Sequence, residues 1–301
     1  MRISFNETRN NKIKSWFLIF FFIILIGVLG AAFGLYIGSI YVGIFFAVVI
    51  SIIYSLIGFY SGNSMILKMT GAREVKKEEF PYLFHTIDGL ALAAGIPKPK
   101  AYVIEDSAMN AFATGRDPKH ASITVTTGLM KVLNRQELEG VIAHEMSHIR
   151  NYDIRFMMLT AVLVGIVTLL SDFLLRSFLW GSHGRSRSSG KGGQVGIILI
   201  VVGLLLAILT PIIGEMIKLA ISRKREYMAD SSAATLTRYP PGLASALEKI
   251  SKDPDPLVDK ANKATAHLFI STPFRKKKSF MTKLFATHPP IQDRINRLKQ
   301  M

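Results

Sequence analysis

The chain has 301 residues, half of them apolar, with 37 Lys and Arg against 21 Asp and Glu and a formal net charge of +16. A positive mean hydropathy in so basic a chain implies that lipid-facing runs are segregated from charged soluble parts. There is no cysteine, which excludes disulfides and thiolate zinc sites, so any transition metal must be held by His, Asp or Glu.

Residues 16–37 and 40–60 carry no charge, and each is about long enough to cross a bilayer as a helix. Only Gly38 and Ser39 lie between them, which predicts a tight hairpin. The first run is too long for the apolar part of a signal peptide and leads straight into the second, so it is expected to be retained. Arg2, Arg9, Lys12 and Lys14 precede the pair, and Lys68, Arg73, Lys76 and Lys77 follow it, while the turn has no basic residue. That asymmetry puts the amino terminus and residues 61–155 on the cytoplasmic side.

Within 61–155, residues 78–94 have helical spacing and end at Gly95 and Pro97. "AYVIED" at 101–106 and "SITVTTG" at 122–128 read as strands, with a turn between them around Gly115 and Pro118. Helical periodicity resumes over 135–153. A second apolar pair, 156–180 and 195–221, either spans the membrane or dips into it. Arg185, Arg187 and Lys191 in the loop between them run against the charge rule for full spanning. Residues 222–238 continue as a helix, Pro240 and Pro241 break it, and "PGLASALEKI" starts another. The Lys-rich tail with "RKKK" at 275–278 suits attraction to lipid headgroups. No aromatic-interleaved basic motif accompanies it, so nucleic acid is not an expected partner.

The chemistry concentrates in "VIAHEMSHIRNYD", residues 141–153. His144 and His148 are four apart, which stacks both imidazoles on one helix face within reach of one tetrahedral ion. Glu145 beside them can accept a proton from water at that ion. Zinc hydrolases need a third protein ligand, and "SRKREYMAD" at 222–230 offers Glu226, with Asp230 four residues on to hydrogen-bond the outer nitrogen of a ligating histidine. The same spacing also fits surface ion pairs among Arg223, Glu226 and Asp230. An even number of apolar runs separates His148 from Glu226, so both emerge on one side of the membrane. Glu137, Glu139, Arg150, Asp153 and Arg155 keep the HEMSH helix out of lipid.

HEMSH, the later EYMAD at 226–230, the two apolar hairpins and the tail "THPPIQDRI" resemble the HtpX-type membrane zinc metalloproteases, relatives of the CAAX prenyl proteases in the gluzincin class. The resemblance covers nearly the whole chain. It implies one zinc per chain held by His144, His148 and Glu226, with Glu145 as catalytic base. It also implies endoproteolysis of damaged or misassembled membrane proteins at the cytoplasmic membrane of a prokaryote, with unfolded polypeptides and the lipid bilayer as partners. "NAFATG" at 110–115 matches the family's edge segment, where Asn110, Ala111 and Phe112 would meet an extended substrate as an added strand; an ordinary turn is the alternative. His288 or Arg294 would stabilise a developing oxyanion, unless the late motif is simply a helix start with Pro in its first turn. His85, His120, His183 and His267 are read as ordinary residues.

The expected fold is a mainly α-helical membrane protein with a zincin-like α+β metalloprotease domain on the cytoplasmic side. It divides into a membrane hairpin (1–60), the first part of the catalytic domain (61–155), a second hairpin (156–221), and the second catalytic part with the basic tail (222–301). Two rival functions share the motif: a prenyl-peptide protease, and a non-catalytic zinc-binding transporter or sensor.

Overall fold

The computed structural model describes residues 2–181, 223–253, 265–271 and 289–301. The loop 182–194, the fourth apolar run 195–221 and most of the basic tail lie outside the described residues. The described chain is mostly helical, with one small mixed sheet.

Helices α1 (Arg2–Ile37) and α2 (Ile40–Met69) form the expected hairpin, turning at Gly38, whose φ of 86° few other residues adopt. Residues 7–31 of α1 and the whole of α2 are long and apolar enough to cross a membrane. Both helices outrun their apolar cores, and α1 begins well before residue 16.

Face by face, α2 is small inside and large outside. Gly43, Ser51, Ser55, Gly58 and Gly62 are buried, while Tyr41, Phe45, Ile53 and Leu56 are exposed. A Cβ on Gly43 would collide with the backbone of Gly30 and Gly34 in α1. Between apolar helices in lipid, such close approach supplies the packing that a hydrophobic drive supplies in water.

The sheet has the order β1-β2-β4-β3. Strand β2 (Lys100–Ile104) pairs in parallel with β4 (Ala121–Thr126) and antiparallel with the short β1 (Arg73–Glu74). Strand β3 (Ala111–Gly115) is an edge strand, antiparallel to β4, with Phe112 opposite Thr124. The segment around 110–120 is thus a strand followed by a short 3-10 turn at 118–120 that the Asp117 side chain caps. The predicted strand over 122–128 stops at Thr126, whose hydroxyl accepts from Leu129 N–H and starts α4 (Thr127–Val132). Helix α3 (Pro81–Ala94) begins at its proline rather than at residue 78 and ends at Gly95 in the left-handed region.

Helix α5 (Arg135–Arg150) carries the HEMSH motif and is buried over most of its length. Its start is fixed by a reciprocal capping box between Asn134 and Glu137. The predicted helix 135–153 breaks at Asn151 and Tyr152, where Tyr152 takes a φ of 61°. Its ring there lies under the Lys12 ammonium and beside the Arg155 guanidinium. Helix α6 (Asp153–Gly181) then starts with an acidic residue in its first turn, and its residues 156–164 are largely buried. Helices α7 (Arg223–Thr237), α8 (Pro240–Ser251) and α9 (Ile291–Leu298) complete the described chain. The core around α5 is built by Val141, Ile142 and Met146 with Ala233, Leu243, Leu247 and Ile250.

Candidate metal centre

Helix α5 presents His144 and His148 one turn apart, and α7 brings Glu226 against them from a position 78 residues further along the chain. Their donor atoms all lie within 4.8 Å of one another, and all three residues are buried. The two Nε2 atoms are 3.2 Å apart. Glu226 Oε2 is 3.7 Å from His144 Nε2, and its Oε1 is 3.5 Å from His148 Nε2. Tetrahedral zinc with bonds of about 2.0–2.1 Å sets its donors about 3.3–3.4 Å apart. Two imidazoles and one carboxylate at these separations therefore fit a divalent zinc ion.

Each histidine has a carboxylate on its far nitrogen. His144 Nδ1 is 3.0 Å from Asp230 Oδ1, and His148 Nδ1 is 2.9 Å from Asp153 Oδ2. These contacts fix the tautomer that leaves Nε2 facing the shared point and make the rings more basic. Burial alone would lower the pKa of His148, but Asp153, Glu226 and Glu145 push it up to about 9. His144 moves down, through burial and the nearby Arg294 charge. Asp230 is held at about 2: burial raises it, and Arg294 and His144 more than offset that.

Glu145 is buried beside the pair, and burial pushes its carboxyl up to about 7. The backbone amide of Ala113 in β3 hydrogen-bonds to it and partly opposes that rise. The edge of β3 is also engaged on the amino-terminal side of this contact. Ile270 N–H donates to Ala111 C=O at 2.9 Å. The Asn110 amide brackets the Ser271 backbone, donating to its carbonyl at 3.0 Å and accepting from its N–H at 3.4 Å. Phe112 points inward, edge-on to the Phe269 ring at 5.1 Å.

Arg294 lies beside His144, with its guanidinium on Asp230 and 3.5 Å from Glu226 Oε2. His288 lies outside the described residues. His267, read as an ordinary residue, is buried with Nε2 3.1 Å from the Met157 carbonyl. Asp153 is visible in the sequence only as a flanking charge, because the helical pattern of 135–153 runs through the break that turns it toward His148. Asn11 and Arg225, which contact Asp153, had no such sign, because their proximity is purely tertiary.

The model of peptidase family M48 matches residues 77–301. The protein called Protease HtpX homolog in Dictyoglomus thermophilum is 48% identical over 291 residues, which cover 97% of this chain and 92% of that one. Its namesake in Streptococcus thermophilus is 42% identical over 300 residues, 99% of each chain. Among solved structures, the crystal structure of S. mikatae Ste24p aligns with a TM-score of 0.49 at 21% identity, over 97% of this chain and 66% of that chain. With a family model matched over most of its length and relatives this similar from end to end, the chain belongs to peptidase family M48, among the HtpX-type proteases.

Proposed function

We propose that this protease is a zinc-dependent endopeptidase of a prokaryotic cytoplasmic membrane that cuts misfolded or damaged membrane proteins. In this reading the chain is multi-pass and its active site faces the cytoplasm. The two parts of the catalytic unit, 61–155 and 222–301, flank the second apolar pair, 156–221. The convergence of His144, His148 and Glu226 beside a buried Glu145 is the observation that carries it.

His144, His148 and Glu226 hold one zinc, and Asp230 and Asp153 keep the two imidazoles turned toward it. When bound, zinc supplies Lewis acidity to a scissile carbonyl and eases deprotonation of water near neutral pH. Glu145 takes the proton from the attacking water and returns it to the leaving amine. Burial raises the Glu145 carboxyl above the ordinary carboxylate range, which makes it the stronger base. The late motif offers two groups for the oxyanion, His288 or Arg294, and the Arg294 fork is already on Asp230. An extended substrate joins the outward edge of β3 through Asn110, Ala111 and Phe112, once Ile270 and Ser271 have left it.

The test is zinc analysis beside cleavage of casein and of a farnesylated peptide, for the purified protein and for Glu145→Gln. The expected result is stoichiometric zinc in both proteins, casein cleavage by the parent, and a fall of about 10²–10⁴-fold in the variant. Near-normal turnover in Glu145→Gln removes Glu145 as base. Cleavage confined to the farnesylated peptide overturns the substrate reading.

A further inference from the structure

Asn11 is completely buried in α1, just ahead of the apolar run, and its amide is shared among three groups. Its Nδ2 donates to Asp153 Oδ1 at 2.6 Å and to the Asn151 carbonyl at 2.9 Å, and its Oδ1 accepts from Arg225 Nη1 at 3.4 Å. The other oxygen of Asp153 is the one on His148 Nδ1. Arg225 directly precedes Glu226 and lies 3.6 Å from Asp153 Oδ1. One side chain of the first helix therefore touches both chain segments that supply the three donors. Neighbouring contacts fasten the same region: Glu7 pairs with Lys224 at 3.2 Å, and Lys12 lies over Tyr152.

We propose that Asn11 is a positioning residue of the metal centre, through which the first membrane helix sets the orientation of His148 and the approach of Glu226. This rests on the zinc reading above. A carboxamide is suited to the place because it offers N–H to a carboxylate and C=O to a guanidinium at once. An aspartate there would set a second carboxylate against Asp153. A leucine would remove the hydrogen bond that holds Asp153 in its His148-facing position. Asn is a poor helix former, so its place inside α1 is better explained by these contacts than by the helix. Outer partners of metal-bound histidines typically hold 10–100-fold in affinity, and a group acting one contact further out is expected at the lower end, about tenfold.

The experiment uses the full chain in detergent micelles. Zinc affinity is measured by competition with a chelator, and the ligand field by the visible spectrum of the cobalt-substituted protein. Asn11→Leu and the near-isosteric Asn11→Asp are each expected to weaken zinc about tenfold and to change the cobalt spectrum. Combined with Asp153→Asn, either should add little to the loss that Asp153→Asn causes alone, since both act through one contact. Lys14→Met, on the exposed side of α1 three residues on, should leave zinc affinity unchanged. Unchanged zinc affinity and spectrum in both Asn11 variants overturn the proposal. So does an equal loss in Lys14→Met, or full additivity with Asp153→Asn. Should Asn11→Leu fail to fold, Asn11→Asp decides alone. Failure of the zinc reading is distinguishable, because the unsubstituted protein would then bind no zinc at all.

Discussion

Arg294 closes a two-pronged grip on Asp230, with Nη2 2.7 Å from Oδ1 and Nε 2.9 Å from Oδ2, and both side chains are buried. The gripped carboxylate is the one on His144 Nδ1. Arg294 thus reaches the candidate metal centre through a planar fork whose geometry lysine lacks. Arg294→Lys keeps the charge and loses the fork, so Asp230 is free to rotate and zinc affinity should fall by about 10–100-fold. Arg294→Ala leaves a buried carboxylate without its main partner and should cost roughly 3–5 kcal/mol of stability. Chelator competition on the lysine variant and thermal unfolding of the alanine variant check the two effects. Wild-type zinc affinity in Arg294→Lys would show that the fork does not govern His144.

Glu226 is the donor that joins two distant parts of the chain. Glu226→Ala should reduce bound zinc after dialysis to well below one per chain, although the histidine pair is untouched. Glu226→Asp pulls the carboxylate back by one methylene and should retain zinc more weakly than the parent. Metal analysis by mass spectrometry reads both. Full retention in the alanine variant would hand the third position to another residue.

The sequence made part of this site legible because some of its relations are local. The four-residue spacing of His144 and His148 is a property of one helix, and so is that of Glu226 and Asp230. The absence of cysteine leaves only His, Asp and Glu as candidates for the third ligand. Asp153 was harder to place, since its approach to His148 depends on a break at Tyr152 that the helical pattern of 135–153 conceals. Strand β3 was obscured because "AFATG" is short, rich in small residues and stabilised by pairing with β4 and by the segment at 270–271. The start of helix α4 looks like the end of a strand in the sequence, because Thr126 and Thr127 favour extended backbone until the Thr126 hydroxyl caps the turn. The small-residue face of α2 was present in the sequence as Gly43, Ser51, Ser55, Gly58 and Gly62, yet only the partner helices give that stripe its meaning.

That stripe yields a graded prediction. A Cβ on Gly43 meets backbone atoms of Gly30 and Gly34, which cannot step aside without moving α1. A Cβ on Gly62 comes 3.2 Å from the Met158 side chain and 3.3 Å from Val162 Cγ2, and a methionine can yield by changing rotamer. Gly43→Ala should therefore cost roughly 1–3 kcal/mol through overpacking, and Gly62→Ala less. Thermal unfolding in detergent compares them. The reverse order would mean that α1 and α2 do not touch where the hairpin places them.

The start of the HEMSH helix carries a pH-dependent fastening. Glu137 accepts from Asn134 N–H at 2.8 Å, from Ser245 Oγ at 2.6 Å and from Lys249 Nζ at 2.7 Å, so α8 holds the amino end of α5. Burial raises the pKa of its carboxyl, but Lys249, Ser245 and the Asn134 amide outweigh burial and bring it below the ordinary 4.5. A carboxyl depressed in the folded state stabilises the fold above its unfolded pKa and loses that contribution as the pH falls through the folded value. Glu137→Gln should thus be less stable than the parent at pH 7, by roughly 1–3 kcal/mol for hydrogen bonds to a charged group. As the pH falls below 4.5 the parent protonates and the gap should narrow. Unfolding curves of the two proteins across that range, with zinc removed from both, read the effect directly. A gap that stayed constant down to acid pH would mean that Glu137 acts through shape and neutral hydrogen bonds, with no contribution from its charge.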